Sequence, residues 1–279
     1  MPENSIPRLP ATRSIHWIIT VWRAAWEKPL WLLAPFALAA VQIVLLAAAA
    51  AASAWFITRA EPPGGLTFVF VSTALISTLF FGILPLLVAP FSAAACRHFL
   101  PVFSGVPLQR RLQNACTLSA LLLVLLFIVF LAALWPWHSL FSSTGILSTR
   151  TLLAIYIVGI VCEFHAAACG IWLALVALLA QALLTCGLPL YTSLTRASRA
   201  ALRPAVLLHA AIFAFFPAAA LLLNTLMLKT PSLLLETIFY GVFLYAFLLD
   251  ALKAPWLIVR DMFLSPPQEK PEENTKNHV

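Results

Sequence analysis

The chain has 279 residues, of which 62% are hydrophobic and only 10% charged, with a formal net charge of +7. Soluble globular domains carry about 25% charged residues, so this sequence lacks the charge to cover a water-facing surface of its size. In a soluble protein the basic excess would suit nucleic acid; in an apolar chain it reports topology, because Lys and Arg stay on the cytoplasmic side of a membrane.

Residues 1–29 read as a cytoplasmic N-terminus. Trp17, Ile18, Val21, Trp22 and Ala25 share one helical face there, beside Arg23, and Lys28-Pro29 ends the pattern. This predicts an amphipathic helix in the inner interface. The first long apolar run starts at Leu30 and is about twice the length of a signal-peptide core, so a span is expected rather than a cleaved leader.

A helix needs about 20 apolar residues to cross the hydrocarbon core. On that measure spans fall at about 30–57, 66–89, 115–135, 166–187, 205–228 and 233–255, within a transmembrane domain covering 30–264. Pro85 and Pro217 lie inside the second and fifth. Pro62, Pro63, Gly64 and Gly65 make a tight first outer turn. The tail, 265–279, is polar and Pro-rich and reads as a disordered cytoplasmic segment. The fold class is therefore all-α: a polytopic transmembrane helix bundle of about six spans, with short basic interfacial helices on the cytoplasmic side.

Charge supports the even parity. Arg8, Arg13, Arg23 and Lys28; Arg97, Arg110 and Arg111; Arg196, Arg199 and Arg203; and Lys253, Arg260, Lys270 and Lys276 all fall in segments assigned to the inside. Only Arg59, Arg150 and Lys229 of the 17 basic residues fall outside. An alternating split of this kind places both termini in the cytoplasm. The difficult stretch is Thr151 to Gly187, too long for one ordinary span. Its first part, Thr151–Val161, is read as an outer interfacial helix or helical extension, and Ala166–Gly187 as the crossing. Trp135, Trp137 and Tyr156 then sit near the outer interface.

Ionisable and amide groups within spans are the candidate functional residues, because burying them in lipid is costly. They are Gln42, Glu163, His165, Gln181, His209, Asn224, Asp250 and Lys253. Asp250 and Lys253 are three apart, a spacing that allows an ion pair along one helix. Glu163 and His165, two apart, do not share a face. Gln181 extends a stripe of small residues, Cys162, Ala166, Gly170, Ala174 and Ala177, which reads as a close helix-packing face. Candidate contacts to anionic lipid head groups are Arg23, Lys28, Arg110, Arg111, Arg196, Arg199 and Arg203. The five cysteines lie in or beside apolar runs with no CxxC, so structural disulfides are not expected. Cys162, Glu163, His165 and Cys169 are close in sequence, but their spacing matches no standard metal site. No hydrolase, metalloprotease or P-loop motif is present, so neither catalysis nor a cofactor is expected.

The order of several segments resembles an uncharacterised family of bacterial inner-membrane proteins with six predicted spans. They are Lys28-Pro29 after a Trp-rich helix, GILPLLVAP from Gly82 to Pro90 running on to Cys96-Arg97, PLYTSLTRASRAALRP from Pro189 to Pro204, and VRDMF from Val259 to Phe263. The resemblance implies topology and a bacterial inner membrane, and no catalytic residues. Two functions remain open. One is a non-enzymatic protein acting through membrane-embedded contacts, with a membrane-protein partner or a second copy of itself. The other is a transporter or channel for a small solute, ion or lipid, suggested by the in-span prolines and by Gln42, Gln181 and Asn224.

Overall fold

The computed structural model describes residues 9–59, 65–103, 106–142, 148–212 and 233–264. Every regular element among them is helical. Helix α1 (Arg13–Glu27) stops where Lys28 turns extended and Pro29 removes a backbone donor. Helix α2 (Leu30–Ile57) follows at once. Helix α3 (Gly65–Gly82) gives way to short segments, α4 (Leu84–Val88), a 3-10 turn (Ala89–Phe91) and α5 (Ser92–Phe99). Pro85 and Pro90 sit in the first turns of α4 and the 3-10 segment, where a missing N–H costs least. The expected second span at 66–89 is thus a broken path.

Helices α6 (Leu108–Ser142, 35 residues) and α7 (Thr149–Thr185, 37 residues) are the longest. At 1.5 Å per residue they extend about 52 and 55 Å, well past a hydrocarbon core of about 30 Å. Thr151–Val161 is therefore no separate helix; α7 runs unbroken through Glu163 and His165, and α6 likewise outruns 115–135 at both ends. The Ser148 hydroxyl accepts from Thr151 N–H at 3.3 Å and caps the start of α7. Its far end closes at Gly187, whose φ of +84° suits glycine, with Cys186 and Gly187 N–H donating back to Leu183 and Leu184. Helix α8 (Leu190–Ala201) then packs on α7, and α9 is described over 204–212. Helix α10 (Leu233–Val259) ends in a π-turn, Arg260–Leu264.

Five described helices are long and apolar enough to cross a membrane: α2, the α3–α5 path, α6, α7 and α10. Their packing is uneven. Helix α2 exposes most of its apolar surface, whereas residues 176–185 of α7 and 247–259 of α10 are buried without a break. A helix apolar on all sides belongs at the centre of a bundle. Midway along the bundle, Phe81 stacks on Phe130 at 6.3 Å and meets Phe247 edge-on at 6.5 Å. Gly170 lets α7 close on this cluster, since a Cβ there would lie 3.1 Å from Phe130.

From that level α7 and α10 descend in the same direction. Thr185 reaches Cys96 of α5, and Lys253 bears on His98 of the same short helix. This end also carries α1, α8, Arg110 and Arg111, and is called the basic end below. At the far end Thr67 and His138 form a 3.2 Å hydrogen bond, Trp137 packs edge-on to Tyr156 at 5.4 Å, and Arg59 lies over Trp55.

Candidate functional site

The polar side chains of the interior gather at the basic end, around α1, α9 and α10. Helix α1 buries Ser14, Trp17, Val21, Ala24 and Ala25, one face at helical spacing, against α10 and the start of α2. Ile15, Ile19 and Trp26 on its other side are exposed. The expected amphipathic helix is present, and its buried face is held by tertiary contacts.

The π-turn that ends α10 sets Asp261 inward, where it is 5% exposed. Its Oδ2 accepts from Arg13 Nε at 3.0 Å, Arg13 Nη2 at 2.8 Å and Trp17 Nε1 at 3.0 Å. Its Oδ1 accepts from Arg260 Nε and Nη2, each at 3.0 Å. A buried carboxylate is tolerable only with such compensation. Here two guanidinium groups and an indole supply it, and they join the first helix to the last.

Trp17 also touches a second buried pair. Its ring meets His209 of α9 edge-on, with centroids 6.0 Å apart. His209 Nε2 and Asp250 Oδ2 are 2.8 Å apart, a buried hydrogen-bonded ion pair between α9 and α10. Asp250 Oδ1 has no hydrogen-bond partner among the described residues. Beside it lies a cavity of about 20 Å³ lined by His209, Asp250, Ala174, Leu178, Phe247 and Pro255. That is room for about one water.

The ion pair expected between Asp250 and Lys253 is not formed. Asp250 turns to His209, and Lys253 places its Nζ 4.5 Å from the centre of the Trp31 ring, a cation–π contact. Lys253 is 1% exposed and makes no hydrogen bond or ion pair among the described residues. Lys28 and Glu27 are close enough for their charges to act on it.

The other candidates are dispersed. Gln42 is buried and donates Nε2–H to the Phe80 carbonyl at 2.6 Å, tying α2 to α3. Gln181 is 1% exposed, and neither of its amide atoms is bonded among the described residues. The stripe above it, Ala166, Gly170, Ala174 and Ala177, is buried, with Cys162 half-buried at its edge. Glu163 and His165 point outward from α7 and are exposed; His165 Nδ1 lies 2.7 Å from the Val161 carbonyl oxygen. Asn224 and Pro217 lie outside the described residues.

Of the basic candidates, Arg23, Lys28, Arg110 and Arg199 are exposed, and Arg196 and Arg203 are half-buried. Arg111 differs: it turns inward and donates Nη1–H to the Val106 carbonyl at 2.7 Å, closing the start of α6. All five cysteines are free thiols, and among the described residues no group of three metal-ligating side chains converges. The sequence reading missed Arg13, Trp17 and Asp261 as partners. The available signal was the aspartate in VRDMF at the end of a span, for which an apolar segment offers no local counter-charge.

These features define an all-α protein with five described helices fit to span a membrane and a polar cluster at one end. Comparison with protein-family profiles, curated proteins and solved structures finds no match to this chain.

Proposed function

We propose that this chain is a six-span protein of a bacterial inner membrane, with both termini in the cytoplasm. It acts without catalysis, through membrane-embedded contacts, in assembly, scaffolding or envelope maintenance. The observation that carries the contact role is the closed interior. The α7–α10 core is buried over 176–185 and 247–259, and the cavity beside Asp250 has room for about one water. A path for solute would need a wider, wetted opening at that depth.

Six crossings are supported by direction. Helices α7 and α10 descend toward the same end, so the chain has to return between Thr185 and Leu233, and α9 sets out from the basic end. Placing that end in the cytoplasm is supported by its basic side chains. Among the described residues only Arg59 and Arg150 lie at the far end. Helices α1 and α8, each with one face on the bundle, then lie at the inner leaflet, where Arg23, Lys28 and Arg199 meet anionic head groups.

Transport is the second reading, favoured by Gln181 and Asp250 Oδ1, polar groups buried without partners. Purified protein in liposomes separates the two. Uptake of no solute in a broad panel, together with co-purification of a fixed membrane partner or a stable homo-oligomer, supports the contact role. Protein-dependent flux overturns it. A reporter fused after Cys186 is expected to signal cytoplasm; an external signal there overturns the six-span topology.

A further inference from the structure

We propose that Lys253, Lys28 and His98 form a site for the phosphate of an anionic phospholipid head group at the basic end. The reason is an unmatched charge. The Lys253 ammonium sits on a side chain 1% exposed, with no hydrogen bond or ion pair among the described residues and only the Trp31 ring beneath it. A buried ammonium is ordinarily paired with an anion. A cation–π contact offsets only part of the lost hydration.

The neighbouring charges deepen the imbalance. Lys28, from the α1–α2 junction, bears on Lys253 with the same sign, and the nearby acid is Glu27, which is exposed. His98 of α5 feels Lys253, Lys28 and Arg260 together. Arg260 is committed to Asp261, which is itself shared with Arg13. Asp250, one turn away on α10, is committed to His209. Cations from three elements thus converge where the nearby buried carboxylates are already engaged.

The chemistry that fits is a compact monoanion with two or more acceptor oxygens, which is a phosphodiester. A lipid is favoured as its carrier by the apolar flank. Trp26 is 70% and Leu30 80% exposed on the chain segment that carries Lys28, a surface suited to acyl chains. The site rests on the proposal that this end meets a lipid leaflet. The Cys186 reporter tests that proposal without touching Lys253, so the two can fail separately.

The test uses the full chain in mixed micelles of phosphatidylglycerol or phosphatidylcholine, with lipid retention read by native mass spectrometry and protection by thermal unfolding. Phosphatidylglycerol is expected to be retained and to raise the Tm where phosphatidylcholine does not. Lys253→Gln is expected to weaken retention about fivefold, the value of one basic residue against an anionic head group. Lys253→Arg should preserve retention, and Arg196→Gln, on α8, should leave it unchanged. Equal retention of the two lipids by the wild-type chain overturns the proposal whether or not the variants fold. So does a Lys253→Gln protein that holds phosphatidylglycerol as well as wild type. Protection by inorganic phosphate alone, equal to that by the lipid, overturns the lipid assignment.

Discussion

Trp17 donates its indole N–H to Oδ2 of Asp261 at 3.0 Å, so the first helix is held by the last turn of α10, 244 residues further along the chain. Asp261→Asn removes the charge that Arg13 and Arg260 share, and Trp17→Phe removes one donor while keeping most of the ring. A hydrogen bond to a charged group contributes about 1.5–3 kcal/mol. Trp17→Phe is expected to cost about that much, and Asp261→Asn more, because two guanidinium groups lose their counter-charge. Thermal unfolding in detergent measures both. Proteolysis should cut near α1 faster in Asp261→Asn; an unchanged cleavage rate would show that α1 is held by its apolar face alone.

The His209–Asp250 pair predicts a non-additive result. Removing one member of a buried pair strands the other, at about 3–5 kcal/mol. Replacing both with apolar residues is often far cheaper. Asp250→Leu alone should therefore destabilise strongly, and His209→Leu with Asp250→Leu should recover a large part of the loss. A double variant as unstable as the sum of the singles would mean that the two residues act independently.

The glycines of α7 test its close packing. A Cβ on Gly159 would lie 2.7 Å from the Trp137 ring, and one on Gly170 3.1 Å from Phe130, whereas Gly65 has nothing within 4 Å. The rigid indole beside Gly159 cannot yield as an aliphatic chain end can. Gly159→Ala is expected to cost about 1–3 kcal/mol through overpacking, Gly170→Ala less, and Gly65→Ala within about 0.5 kcal/mol of zero. The order of the three Tm values is the check. A Gly65 variant as unstable as Gly159→Ala would contradict the packing described.

Helix identity was legible because length and hydropathy decide it locally: the α2 boundaries, Leu30–Ile57, are those expected from the apolar run alone. The small stripe of α7 was legible for the same reason, since i, i+3 and i+4 spacing forces one face. The partner of Asp250 was not. Spacing along α10 says only what can be reached on that helix, and Lys253 met the criterion; His209, 41 residues away, won because α9 packs there. Arg111 was misjudged likewise, as a loop arginine with nothing local to show that it closes the start of α6. Glu163 and His165 looked like an interruption, yet α7 continues through them because both project outward and cost the helix no burial.

Gln181 separates the two functional readings most directly. Its amide is buried with neither atom bonded among the described residues, so as a packing residue it weakens the core it occupies. Replacing an unsatisfied polar group with an apolar one of similar size removes a desolvation penalty of about 1–3 kcal/mol. If α7 serves only as a packing face, Gln181→Leu should leave the Tm unchanged or raise it, with partner retention intact. If the amide instead lines a route for solute, the same change should abolish flux in liposomes while the Tm rises. A marked fall in Tm would refute both, because it would require bonds that the buried amide does not make in this packing.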